Sequence, residues 1–284
     1  MLFCASCGTA GSDDIKLMKC ACHLVKYCSV KCQKDHRSQH KKECKKRVAQ
    51  LRDEILFKQP ESSCYGDCPI CCLPLSIDIK ESVLMACCCK RICYGCYFAN
   101  QKREFLRRLQ HTCPFCRKAV PETDEEKNEL LMKRVEVNDP IAMHEIGFKK
   151  YIEGNCTAAF EYFTKAVALG DVEAHYHLSG MYHNGDGAEK DEKRAFHHIE
   201  QAAIEGHPDA RYNLGCMEKN YGRMDRAAKH WIIAAKLGHD NALGNVKVLY
   251  KAGDVSKEDF ATVLRGHHAA IQATKSPQRE EASD

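Results

Sequence analysis

No run of about 18 apolar residues occurs in the 284-residue chain, so a membrane-spanning helix is not expected. The opening stretch reaches Asp13 and Asp14 before any apolar core forms, and no export signal is expected either. Glycine-rich loops that cradle nucleotide phosphates are missing, which argues against a nucleotide-dependent enzyme. There is one tryptophan, Trp231, and neither an aromatic stacking series nor a recognition helix stands out, so nucleic acid is not an expected partner. Cysteine is rare only in the second half, because 18 of the 20 cysteines lie before residue 117.

That asymmetry organises the rest. Cys-x-x-Cys pairs without a secretory signal read as reduced, metal-bound thiols of the cytosol or nucleus, whereas a disulfide scaffold is expected after secretion. Charge is divided in the same way. Residues 1–120 carry 22 Lys and Arg against 11 Asp and Glu, a balance of +11, and residues 121–284 carry 21 against 28, a balance of −7. The basic front could attract acidic segments, but lysine also offsets thiolate charge and keeps small metal modules soluble.

The first cysteine group is Cys4-Ala-Ser-Cys7, Cys20-Ala-Cys22, Tyr27-Cys28-Ser-Val-Lys-Cys32-Gln33 and His40-x3-Cys44. It resembles a MYND finger over nearly its whole length. Family topology implies two interleaved zinc ions, one on Cys4, Cys7, Cys28 and Cys32 and the other on Cys20, Cys22, His40 and Cys44. One spacing departs from the family, since only Ala21 separates Cys20 from Cys22 where two residues are usual. His23 or His36 could substitute, although both read more simply as surface side chains. The resemblance implies binding of short proline-containing peptides. Four thiolate or imidazole ligands fill a tetrahedral ion, leaving no position for a reactive water.

The second group runs Cys68-Pro-Ile-Cys71, Cys87-Cys88-Cys89, Cys93-x-x-Cys96 and Cys113-Pro-Phe-Cys116-Arg117, with a helix expected from Tyr97 to Gln110. It resembles a RING finger, with Cys68, Cys71, Cys93 and Cys96 at one ion and Cys113 and Cys116 at half of the other. Usual spacing puts the fourth ligand at Lys90, and a protonated lysine is a poor zinc ligand. The missing pair is read as Cys87 with Cys88, Cys89 being the alternate and Cys64 and Cys72 spare thiols. The resemblance also implies that Ile70 and Pro114 grip a ubiquitin-conjugating enzyme and that Arg117 is the linchpin arginine. Simple packing for Ile70 and a solvated charge for Arg117 are the plainer alternatives.

Beyond the metal modules an internal repeat appears as Ala142, Ala174, Ala210 and Ala242, and as Gly170, Gly206 and Gly238, with periods of 32 and 36 residues. Each period holds two helices. The extra four residues of the second period fit the loop Asn184 to Glu192. The array is similar to Sel-one-like repeats, relatives of the tetratricopeptide repeat, which implies a concave protein-binding surface. His197-His198 and His267-His268 are expected to be exposed, and Trp231 to pack the array.

The expected organisation is mostly α: two small cross-brace zinc modules followed by an α-solenoid of helix hairpins. The boundaries are 1–46 for the MYND-type finger, 47–63 for a helical linker, 64–120 for the RING-like finger, 121–138 for an acidic linker, 139–274 for the repeats and 275–284 for a disordered tail. The order of modules, with an ending of the Lys-Ser-Pro-Gln-Arg-Glu kind, is similar to an expanded set of diatom proteins. Four Zn2+ ions are expected, with protein or peptide partners at the finger and repeats. Two functions follow from the resemblances, a RING-type ubiquitin ligase without a nucleophile of its own, and a zinc-stabilised adaptor.

Overall fold

The computed structural model describes residues 3–11 and 16–282, so Asp13, Asp14, Ser283 and Asp284 lie outside the described residues. The chain divides into two compact units, Met1–Lys58 and Gln59–Asp284.

In the first unit a two-residue hairpin pairs β1 (Met18–Lys19) with β2 (Lys26–Tyr27), and α1 (Val30–Leu56) follows. Ser29 caps α1 by accepting from the Cys32 N–H at 3.2 Å. The expected linker helix is therefore the far end of a helix that begins inside the finger, 27 residues and about 40 Å long.

The second unit opens with the antiparallel pair β3 (Ser82–Met85) and β4 (Lys90–Cys93), which runs directly into α2 (Tyr94–Leu106). This helix starts and ends a few residues earlier than the sequence suggests, because Cys93 is its cap and accepts from the Cys96 N–H. Then come α3 (Asp124–Glu136) and eight helices in antiparallel pairs: α4 (Pro140–Ile152) with α5 (Cys156–Ala168), α6 (Val172–Asn184) with α7 (Glu192–Ile204), α8 (Pro208–Asn220) with α9 (Met224–Lys236), and α10 (Asp240–Ala252) with α11 (Lys257–Ala273).

Small residues set the spacing of each pair. Ala142, Ala174, Ala210 and Ala242 are all fully buried, and Trp231, 3% exposed, lies so close to Gly215 that a Cβ there would sit 2.6 Å from the indole nitrogen. Gly170, Gly206 and Gly238 take the left-handed conformation, φ +87° to +99°, that closes each hairpin before the next repeat. The longer loop between Asn184 and Glu192 is where the sequence puts it.

Two expected disordered or linking segments are ordered. The acidic interval 121–138 contains α3: Thr123 caps it, Asp124, Glu125 and Glu126 occupy its first turn, and Lys133 and Arg134 its last. Those charges face the helix macrodipole with the favourable sign, so an acidic run read as a spacer is a helix N-terminus. Leu131 then packs with Ala86, Cys89, Ala142 and Ile146, joining the cysteine-rich module to the first repeat.

The tail forms α12 (Pro277–Glu281), capped by Ser276 with proline in its first turn. It has no large apolar side chain to bury, but it docks through a polar anchor. The Arg279 guanidinium donates to the carbonyls of Pro74 and Thr274, each at 2.7 Å, and of Leu73 at 3.1 Å. It also approaches Cys71 Sγ at 3.3 Å. Its Cα lies so near Gly95 that an added Cβ would come within 2.8 Å. Replacing Arg279 by alanine is expected to free α12 and to leave three carbonyls without this donor, at about 1–3 kcal/mol. Gly95→Ala should release α12 from the opposite side. Amide exchange at 276–281 checks both, and unchanged protection in either variant contradicts the anchor.

Candidate metal centres

Three of the ligand pairs, Cys4 with Cys7, Cys68 with Cys71 and Cys113 with Cys116, sit on tight turns with the same backbone in both units. The Gly8 N–H donates to the Cys4 carbonyl, Cys72 to Cys68, and Arg117 to Cys113, all at 2.9 Å. Gly8, Cys72 and Arg117, each directly after the second cysteine of its pair, all have left-handed φ, at 74°, 57° and 64°. Cys72 is therefore the turn residue of its knuckle, and its exposed thiol points to no cluster.

The sulfurs converge. Regular tetrahedral zinc with Zn–S of about 2.3 Å has S–S edges of about 3.8 Å. In the first unit Cys7 and Cys28 are 3.5 Å apart at sulfur, Cys28 and Cys32 3.6 Å, and Cys20 and Cys44 3.5 Å. Cys22 Sγ lies 3.0 Å from His40 Nε2. In the second unit Cys71 and Cys93 are 3.8 Å apart, Cys88 and Cys113 3.9 Å, and Cys87 and Cys116 3.3 Å. Four groups result: Cys4, Cys7, Cys28, Cys32; Cys20, Cys22, His40, Cys44; Cys68, Cys71, Cys93, Cys96; and Cys87, Cys88, Cys113, Cys116. Within each group the ligand atoms all lie within 4.8 Å of one another. The donor sets and spacings fit zinc.

Electrostatics agree with that chemistry. The sulfur of Cys93 and nearby backbone N–H groups hold the Cys68 thiol at about 4, and the Cys7 N–H leads in pulling Cys4 down to about 6. Neighbours pay the opposite way: the sulfurs of Cys7 and Cys32 push Cys28 up to about 12, and burial pushes Cys44 up to about 11. Thiolates this close repel one another, and a divalent cation between them removes the conflict.

The three-cysteine run separates by direction. Cys87 and Cys88 turn to Cys113 and Cys116, while Cys89, with φ 50°, turns the other way against Leu131 and Ala142. Burial there raises its thiol to about 12. Cys64 donates its N–H to the Gly206 carbonyl at 3.1 Å and belongs to no cluster. His23 is exposed, and His36 Nδ1 pairs with the Tyr27 hydroxyl at 3.1 Å. The short Cys20-x-Cys22 spacing is accommodated because Cys22 is fully buried directly beside His40.

Of the three residues with a possible transfer role, Ile70 is 41% exposed and Arg117 is exposed, its Nη1 donating to Asn100 Oδ1 at 3.1 Å. Pro114 is buried, and its neighbour Phe115 is 45% exposed. Of the paired histidines, His197 and His268 are exposed as expected. His198 instead stacks on Tyr182 with centroids 5.5 Å apart, and His267 pairs with Asp240 at 2.9 Å.

A fifth group has no signature in the local sequence. His144 on α4 and Glu173 and His177 on α6 bring one ligand atom each within 4.8 Å of the others. Glu173 and His177, four residues apart, share a helix face, but nothing local links them to His144.

No helix among the described residues is long and apolar enough to cross a membrane. The MYND finger family model matches residues 4–44, and the Sel1 repeat model matches 142–171, 172–207 and 208–239. Chitin synthase regulatory factor 4 of Schizosaccharomyces pombe is 33% identical over 89 residues, which are 31% of this chain; the match covers 14% of that protein, so the chain spans about a seventh of the curated relative it matches. Among solved structures, a Sel1 repeat protein from Oxalobacter formigenes is similar at 25% identity and a TM-score of 0.43, over 54% of this chain and 66% of that one. A protective antigen of uropathogenic Escherichia coli with an SLR fold is similar at 19% identity and a TM-score of 0.42, over 66% of this chain and 40% of that one. Residues 4–44 are a MYND finger and residues 142–239 carry Sel1 repeats, with a four-cysteine-pair module between them.

Proposed function

We propose that the chain binds four zinc ions and is a RING-type ubiquitin ligase, its repeats and MYND finger holding protein partners while the module at 64–120 recruits a charged conjugating enzyme. Both flanking modules are of protein-interaction type. The observation that carries the reading is the pair of matching knuckles. Each belongs to a different four-cysteine group, and each presents an exposed apolar side chain, Ile70 on one and Phe115 on the other, with Arg117 exposed beside the second. The attacking amine would come from the substrate. The ligase supplies position only, and Arg117 with its planar set of donors suits a carbonyl-rich surface.

A second reading, a zinc-stabilised adaptor, has its own support. Pro114 is buried, and Arg279 grips the carbonyls of Leu73 and Pro74 just past the Ile70 knuckle, which narrows the surface open to a conjugating enzyme.

Release of ubiquitin from a panel of charged conjugating enzymes separates the two. Wild type is expected to accelerate at least one of them over a zinc-stripped control. Arg117→Ala should slow release about tenfold or more, the loss of about 1.5–3 kcal/mol of charge-assisted hydrogen bonding, and extra conjugating enzyme should not restore it. Ile70→Ala should weaken docking and be partly restored by raising that concentration. If wild type accelerates none of the panel, the adaptor reading stands.

A further inference from the structure

We propose that His144, Glu173 and His177 form a divalent-metal site of the zinc class between the first two repeats, separate from the cysteine centres. The three ligand atoms lie within 4.8 Å of one another. For Zn–N and Zn–O bonds of about 2.0–2.2 Å the edges of the coordination figure are about 3.3 Å, so the side chains need close by only about 1.5 Å.

Two features distinguish this group from histidines that merely pack. His144 is 7% exposed and its Nε2 is buried with no hydrogen-bond partner; Glu173 Oε1 is likewise buried and unpartnered. A buried nitrogen and a buried carboxylate oxygen left unpaired in one place are costly, and a cation bound by both removes the cost. The surroundings also restrain the ligands. Phe163 lies nearly parallel to His177, with centroids 4.9 Å apart and planes 11° apart, and Phe148 borders the same ring at 5.3 Å. The other carboxylate oxygen of Glu173 faces His207 Nε2 at 3.9 Å, and the Glu145 carboxylate lies 3.9 Å from His144 Nδ1. Both contacts are longer than hydrogen bonds, so they set the charge around the group without fixing the ligands' direction.

Two imidazoles and a carboxylate suit zinc, cobalt, nickel or ferrous iron rather than calcium or magnesium. Three protein ligands also leave a fourth position open, unlike the closed cysteine centres. Because Glu173 and His177 come from one repeat and His144 from the one before, the ion would staple α4 to α6.

The test uses the full chain with its cysteine centres filled by zinc, titrated with Co2+. Cobalt bound by nitrogen and oxygen gives visible ligand-field bands without the thiolate-to-cobalt charge-transfer band that cobalt in a cysteine centre would show. One such cobalt per chain is expected, with a rise in the thermal midpoint of the repeats. Glu173→Gln and His177→Asn, both at half-buried positions, should each weaken it by more than about 100-fold while the helical circular dichroism stays native. Wild type showing no cobalt beyond thiolate-ligated ion overturns the site. So does cobalt binding that both folded variants retain at wild-type affinity.

Discussion

Cys68→Ser is expected to unfold residues 64–120 outright and to lose both ions proposed for that module. The buried cluster there is Cys68, Leu75, Met85, Cys87, Ile92, Cys93, Cys96 and Cys113, so five of its eight members are ligands. The three apolar members contribute only about 5–9 kcal/mol on full burial, less than the roughly 10–16 kcal/mol that one structural zinc site provides, so metal binding is the larger stabilising contribution in this cluster. Interleaving makes the loss concerted: β4 ends at Cys93 of one group only a few residues after Cys87 and Cys88 of the other, and α2 starts from Cys93. The repeats should respond unevenly. Their two clusters, around Phe163 and around Trp231, contain no metal ligand from the cysteine groups and should stay helical. The α3–α4 end should loosen, since Leu131, Ala142 and Ile146 lose Ala86 and Cys89 as neighbours. Metal analysis with limited proteolysis measures this, and a variant that keeps all its zinc and resists cleavage within 64–120 contradicts it.

Gly187→Ala should destabilise the second unit by about 2–5 kcal/mol. Gly187, at φ +71°, lies in the loop between α6 and α7, and a Cβ there would sit 2.2 Å from the Cys156 carbonyl oxygen and 2.6 Å from its carbon. Both atoms are backbone of the first residue of α5, so no side-chain rotation relieves the clash. The loop cannot drift away freely, because Asp191 donates its N–H to the Tyr182 carbonyl at 2.9 Å and Tyr151 donates its hydroxyl to Asp186 at 3.2 Å. A left-handed non-glycine residue costs about 1–2 kcal/mol and overpacking about 1–3 more. For a unit of this size the thermal midpoint should fall by roughly 5–20 °C. Gly180→Ala is the control: it lies within α6, has nothing within 4 Å of the added carbon, and should leave the midpoint unchanged or slightly higher. Equal responses from the two variants contradict the account.

The repeats could be read from the chain because their signal is local and recurrent: an alanine and a glycine at periods of 32 and 36, and one longer loop whose place the period itself marks. Cysteine spacing likewise names the knuckles. It does not order Cys87, Cys88 and Cys89, since three adjacent sulfurs point in different directions and only the packing of Cys89 against α3 and α4 decides among them. The helix that starts at Asp124 and the docked tail are hidden from composition for one reason. Composition reports what a segment can bury, and both are held by caps, charges and a single arginine rather than by apolar area. His144 could not be joined to Glu173 and His177 from the sequence, because stacking of consecutive repeats is what brings them together.

The Arg279 anchor has a consequence for the order in which the protein is made. Cys71 and the guanidinium that reaches its sulfur are 208 residues apart. At about 5–20 residues per second, Arg279 is synthesised roughly 10–40 s after Cys71. Throughout that interval the Cys71 knuckle is without its last donor, while its thiols are already available to zinc or to oxidants. Metal supply during synthesis, rather than afterwards, should therefore decide how much of the chain matures correctly.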